Sequence, residues 1–122
     1  FESPVNLTSD ILALDAIEVG VHIAGQVPIL IVNEPIFISD GENSELRYNA
    51  WYPRWAYDEY RQLMESWASD YDWYYLDLWD FIPAEEFTDS PVHLTPAGTK
   101  ILADALSEEI LRLAGQSKQN GN

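Results

Sequence analysis

The sequence predicts an α/β domain built on a parallel sheet. Two short runs carry strand character, Val27 to Val32 and Trp73 to Trp79, and three amphipathic segments bracket them in the order helix, strand, helix, strand, helix. That order contains one strand–helix–strand unit, for which a right-handed crossover with helices covering the sheet is expected. At 122 residues, with 47% hydrophobic and 22% charged side chains, the chain has an ordinary globular balance and room for a single core, whole or part of a larger one.

Thr8 or Ser9 is placed to cap the first helix, and Ile11, Leu12, Leu14, Ile17, Val21 and Ile23 give it an apolar side. Gly25 reads as its stop. Val27 to Val32 is apolar throughout and rich in β-branched residues, with Pro28 tolerated near its start, so a central strand buried on both faces is expected. Asn33, Glu34 and Pro35 then fall at the carboxyl end of that strand, where open α/β sheets place their binding crevice. Asn33 and Glu34 are therefore candidate substrate contacts.

The stretch from Ser39 to Pro53 contains Gly41, Asn43, Ser44 and Asn49 and no periodicity, a loop of about fifteen residues and long enough to be functional. From Trp55 to Ser69, Tyr60, Leu63, Met64 and Trp67 form the apolar face of a second helix, with Asp58, Glu59, Arg61 and Glu65 facing water. In the second strand, Trp73 to Trp79, Tyr74, Leu76 and Leu78 share one face while Tyr75 and Asp77 share the other. Pro83 ends it. Thr95 and Pro96 supply a cap and a first-turn proline, and the apolar stripe of the last helix runs to about Ala114. The domain is thus expected over residues 1–115, with a frayed tail over 116–122. Two strands leave sheet edges unpaired, so either a missing part of the sheet or a homo-oligomer formed through the exposed edge is expected. The opening at Phe1 rather than Met reads as a processed or truncated start.

Charge narrows the partners. Twenty-one acidic residues against six basic ones give a net charge of -15, which repels phosphate backbones and anionic lipid headgroups, so no nucleic acid is expected. No cysteine is present, which removes disulfides, thiolate chemistry and sulfur-bound zinc. No apolar run approaches the roughly 20 residues of a membrane span. Asp77, Asp80, Glu85, Glu86 and Asp89 form an acidic run, but without an Asp-x-Asp-x-Asp-Gly loop it reads as a solvated face; no metal and no cofactor is expected.

Of the two histidines, His22 lies within the first helix, where a structural role is expected. His93 follows Asp89 in the loop before the last helix. An Asp bonded to one ring nitrogen fixes the tautomer and stabilises the imidazolium, leaving the other nitrogen to take a proton from a nucleophile. The competing reading is a polar loop in which Asp89 forms an Asx turn. Arg47, Tyr48, Trp51, Tyr52, Arg54 and Trp55 gather cations and aromatics near the long loop. They could stack on sugar rings, with Arg47 and Arg54 pairing with substrate anions, or the aromatics could simply be core.

The phrase Asp89-Ser90-Pro91-Val92-His93-Leu94-Thr95-Pro96-Ala97-Gly98 resembles the C-terminal block of SGNH (GDSL-like) hydrolases, with one residue more between Asp and His than the usual Asp-x-x-His. The preceding strand ending in Val32-Asn33-Glu34-Pro35, the long loop, the helix and the Leu-Asp-Leu-Trp strand follow that superfamily's C-terminal order. The resemblance implies the C-terminal half of a flavodoxin-like three-layer αβα fold, with His93 as general base and Asp89 as its orienting acid. It further implies an esterase or O-acyltransferase acting on acyl esters of carbohydrate or cell-envelope polymer, similar to polysaccharide O-acetyltransferase-like proteins, in an extracytoplasmic or cell-envelope setting. The family's Gly-Asp-Ser block and its oxyanion Gly and Asn blocks are absent, and no serine of this chain has that glycine context. The nucleophile would then come from an upstream segment, and the isolated chain is expected to be inert. The rival expectation is a non-catalytic carbohydrate-binding or protein-interaction domain using the Arg47 to Trp55 loop.

Overall fold

A computed structural model describes residues 4–119. The elements in order are α1 (Ser9–Leu12), α2 (Leu14–Ala24), β1 (Leu30–Asn33), α3 (Arg54–Asp70), β2 (Tyr74–Asp77) and α4 (Pro96–Gln119), with a 3-10 turn at Ala84–Glu86. β1 and β2 pair in parallel, Leu30 opposite Tyr74 and Asn33 opposite Asp77, and α3 is the crossover between them. The fold is thus mixed α/β around a two-stranded parallel sheet.

Several elements differ from the sequence expectation. The first helix is broken at Ala13, which sits in the left-handed region at φ 51°. The break turns Leu14 into the core at 1% exposure while Ile11 and Ile23 stay exposed. Gly25 stops α2 as expected, at φ 61°, its N–H donating to the His22 carbonyl. β1 is shorter than the apolar run: Val27 N–H is used in a turn on the Ala24 carbonyl at 3.1 Å, and Pro28 has no N–H to give a ladder. Leu30, Ile31 and Val32 are half-buried rather than buried on both faces; among the described residues β1 has one strand neighbour. β2 likewise covers only Tyr74–Asp77. α4 continues to Gln119, past the expected end at Ala114, so 116–119 are helical where a patternless tail is expected. Residues 120–122 of that tail lie outside the described ones.

One core cluster lies where the chain leaves the carboxyl ends of the strands. Ile36, Tyr48 and Tyr57 form its buried centre, with Ile38, Tyr52, Tyr60, Trp79 and Val92 packed around them. The rings meet edge-on, Tyr48 and Trp79 at 4.9 Å and Tyr48 and Tyr57 at 5.7 Å, which adds to their area burial. Tyr48 and Tyr52 of the long loop are therefore packing residues. Along α3, Tyr57, Met64 and Ala68 are the buried positions. Asp58 and Arg61, expected to face water, instead reach inward: Asp58 accepts from the Tyr48 hydroxyl at 2.5 Å and Arg61 turns to Asp77.

Candidate active site

The loop carrying Asp89 and His93 is held at its base by three cross-links. Thr88 N–H donates to the His93 carbonyl at 2.9 Å, Phe87 and Leu94 form an antiparallel bridge, and Thr95 N–H donates to the Glu86 carbonyl at 2.8 Å. The start of α4 is fixed by the same residues. Thr95 Oγ1 caps it by accepting from Gly98 N–H at 3.1 Å, and the Glu86 carboxylate accepts both that N–H and the Thr95 hydroxyl. Glycine is required at position 98 because a Cβ there would lie 2.9 Å from Glu86 Cβ and 3.0 Å from its carbonyl oxygen. Phe37 N–H donates to the Pro91 carbonyl at 2.7 Å and Ile36 N–H to the Trp79 carbonyl at 2.9 Å. The first bond docks the loop against the segment leaving β1, and the second ties that segment to the one leaving β2.

Within this frame Asp89 Oδ1 lies 3.2 Å from His93 Nδ1. Thr88 Oγ1 is 3.0 Å from the same carboxylate oxygen. The His93 bond, and after it the Thr88 bond, hold the Asp89 carboxyl below the ordinary carboxylate range. Both side chains are open to solvent, His93 at 64% and Asp89 at 85%. Among the described residues nothing bonds His93 Nε2. The arrangement can orient an imidazole and leave one nitrogen ready to accept a proton. It provides no attacking group: Ser39 Oγ accepts from Gly41 N–H and Ser90 Oγ from Val92 N–H, and no serine hydroxyl among the described residues bonds His93.

A cleft of about 440 Å³ opens beside the pair, with Arg47, Trp51, Asp89 and Glu42 in its walls. Trp51 stands out at 73% exposure. Its place is set by Asn49, whose Oδ1 accepts from the N–H groups of Trp51 (2.9 Å) and Tyr52 (3.2 Å) while its Nδ2 donates to the Phe37 carbonyl. Asn49 is 6% exposed. This Asx turn is the detail that sequence reading missed; an Asn in a loop without periodicity, able to bond the backbone two residues on, is the signal that could have found it. Arg54 does not reach the cleft wall; its Nε donates to the Ser44 carbonyl and its guanidinium lies 4.2 Å over the Tyr48 ring.

Asn33 and Glu34 belong to a different place, the wall of a groove of about 790 Å³ between β1, α3 and α4. Asn33 is buried and bonded: Nδ2 donates to Asp77 Oδ1 at 2.8 Å and Oδ1 accepts from the Tyr57 hydroxyl at 3.3 Å. Asp77 also takes Arg61 Nε at 2.8 Å, and the Arg61 guanidinium lies 4.2 Å over the Trp79 ring. Burial raises the Tyr57 phenol to about 12 and pushes Tyr75 up as well. The acidic run of the sequence is thus dispersed, with Asp77 in this network, Glu86 at the α4 cap and Asp89 at His93. Among the described residues no group of three or more His, Asp or Glu side chains is placed to hold a metal ion, and no helix is long and apolar enough to cross a membrane. His22 is exposed on α2.

Comparison with protein-family models, curated proteins and solved structures yields no match to this chain.

Proposed function

We propose that this chain carries the base half of an acyl-transfer site, as the C-terminal part of an SGNH-like esterase or O-acyltransferase with a flavodoxin-like three-layer sheet. The substrate is an O-acyl ester of a carbohydrate or cell-envelope polymer. The observation that carries the reading is Asp89 Oδ1 at 3.2 Å from His93 Nδ1 with Nε2 unengaged among the described residues, on a loop that resembles the SGNH closing block. In the working enzyme a serine from a segment outside these 122 residues attacks the acyl carbonyl. His93 takes the serine proton and returns it to the leaving alcohol, while Asp89 holds the ring and stabilises its charged form. Water or a sugar hydroxyl then takes the acyl group from the serine.

The chain alone is expected to cleave p-nitrophenyl acetate no faster than free imidazole does, because nucleophile and oxyanion donors supply most of the acceleration. In a longer polypeptide that contains the serine, His93→Ala is expected to lower turnover by about three orders of magnitude or more, and Asp89→Asn to lower it through the wrong tautomer. Turnover unchanged by His93→Ala defeats the catalytic reading.

A second reading, a carbohydrate-binding domain without catalysis, draws on the exposed Trp51 beside Arg47 in the cleft. An exposed indole held by a buried Asn suits stacking on a sugar face. Loss of oligosaccharide binding in Trp51→Ala, with binding retained in His93→Ala and no turnover in the longer polypeptide, selects it.

A further inference from the structure

We infer that the cleft beside Asp89 takes an uncharged pyranose ring, stacked by its C–H face on Trp51, and rejects rings that carry a carboxylate. The inference deepens the acyl-transfer reading and rests on it only in taking this cleft as the seat of the ester's sugar. The indole comes first. Of three aromatics set close together on the long loop, two serve the core: Tyr48 is 4% exposed and Tyr52 packs against the buried cluster. Trp51 alone of the three turns outward, at 73% exposure, and so forgoes the burial its neighbours gain. It is not loose, because the buried Asn49 accepts the N–H groups of residues 51 and 52. A platform fixed before its ligand arrives loses little freedom on binding, and the indole face suits the apolar side of a pyranose.

The walls decide what the ring can carry. Ser39 Oγ and Ser90 Oγ each accept a backbone N–H, from Gly41 and Val92, so each hydroxyl keeps its own proton to donate. Glu42 and Asp89 stand in the same walls as acceptors. Sugar hydroxyls both donate and accept, and this mixture serves them. A carboxylate on the ring only accepts. It meets one cation in the walls, Arg47, against the two carboxylates of Glu42 and Asp89, and the His93 and Thr88 bonds keep Asp89 ionised. The loop itself adds Asp40 and Glu45, with Arg47 its single basic residue between Ser39 and Pro53. Repulsion therefore outweighs pairing for an acidic ring. The cleft is built from residues 37–51 and 87–91, none of them in β1, so this chain suffices to test it.

The probes are cellotetraose, mannotetraose and galactotetraose, each set against a twin whose C6 positions are oxidised to carboxylates. The full chain is titrated by calorimetry while the Trp51 indole N–H is followed by NMR. At least one neutral tetrasaccharide is expected to bind at millimolar concentration and shift that resonance, and its acidic twin to bind about tenfold or more weakly. Trp51→Ala, at an exposed position, is expected to abolish binding, and Glu42→Gln to narrow the gap between the twins. An acidic twin bound as tightly as its neutral partner overturns the inference, as does a gap that Glu42→Gln leaves unchanged. So does binding that survives Trp51→Ala, or no neutral sugar bound at about 10 mM. Each of these failures leaves turnover of the longer polypeptide, with and without His93→Ala, as the separate test of acyl transfer. Failure of that test leaves the sugar preference as measured.

Discussion

Asp77→Ala tests whether the carboxyl ends of the strands are organised by charge. The substitution removes the acceptor for Asn33 Nδ2 and Arg61 Nε, both at 2.8 Å, and for Trp79 N–H at 3.4 Å. Arg61 and Asp77 are 27% and 25% exposed. Breaking a fully buried pair costs about 3–5 kcal/mol, because the surviving charge is left without a partner, whereas an exposed pair is worth about 0–1 kcal/mol. A pair this far from solvent belongs between them, at about 2–4 kcal/mol. With a urea dependence of about 1–3 kcal/mol per molar, the unfolding midpoint falls by about 0.7–4 M. The mechanism makes a sharper claim for the double variant Asp77→Leu/Arg61→Met, which removes both charges and leaves none stranded. It is expected to be more stable than Asp77→Ala. An unfolding free energy for Asp77→Ala within about 0.5 kcal/mol of the parent, or a double variant less stable than the single one, refutes the reasoning.

Gly98→Ala is expected to cost about 1–3 kcal/mol by thermal or urea unfolding, because the added Cβ meets Glu86 Cβ and backbone oxygen; a neutral change shows that this turn yields. Ala13→Gly is expected to stabilise by up to about 1 kcal/mol, since Ala13 holds φ 51°, and destabilisation contradicts it. Burial raises the Tyr57 phenol from 10.0 to about 12, so its contribution is complete below pH 10 and is lost as pH climbs toward 12. The urea midpoint is then expected to fall across that window, and a rise there is incompatible with the assignment. In His93→Ala the Asp89 carboxyl, followed by NMR, is expected to titrate at higher pH than in the parent because its main hydrogen bond is gone; unchanged titration removes the cause given for its shift.

What could be read in the sequence was what neighbouring residues decide among themselves. Thr95 and Pro96 announce the start of α4, and Gly25 announces the end of α2, because caps are local chemistry. The approach of Asp89 to His93 is legible for the same reason, both residues lying in one short loop. The face of α3 is not. Its periodicity assigns Arg61 to water, but Asp77, sixteen residues further on, draws it inward. Tyr48 and Tyr52 looked equally suited to a ligand or to a core, and contacts with Tyr57 and Trp79 decided for the core. Val27 and Ile29 belong to the strand by apolar and β-branched character with Pro28 tolerated at its start, but β1 begins only at Leu30, because Pro28 has no N–H to give a ladder.

The cross-links at Phe87–Leu94, Thr88–His93 and Glu86–Thr95 make residues 88–93 a cassette whose ends stay put whatever is threaded between them. Lengthening a closed loop by one residue changes its closure entropy only slightly, so an extra residue at the tip is absorbed there and α4 keeps its place. A spacing of four between acid and histidine is then compatible with the same hydrogen bond that a spacing of three would make. Grafting shorter tips between Thr88 and His93 is a practical way to vary what lies beside the cleft without refolding the helix behind it.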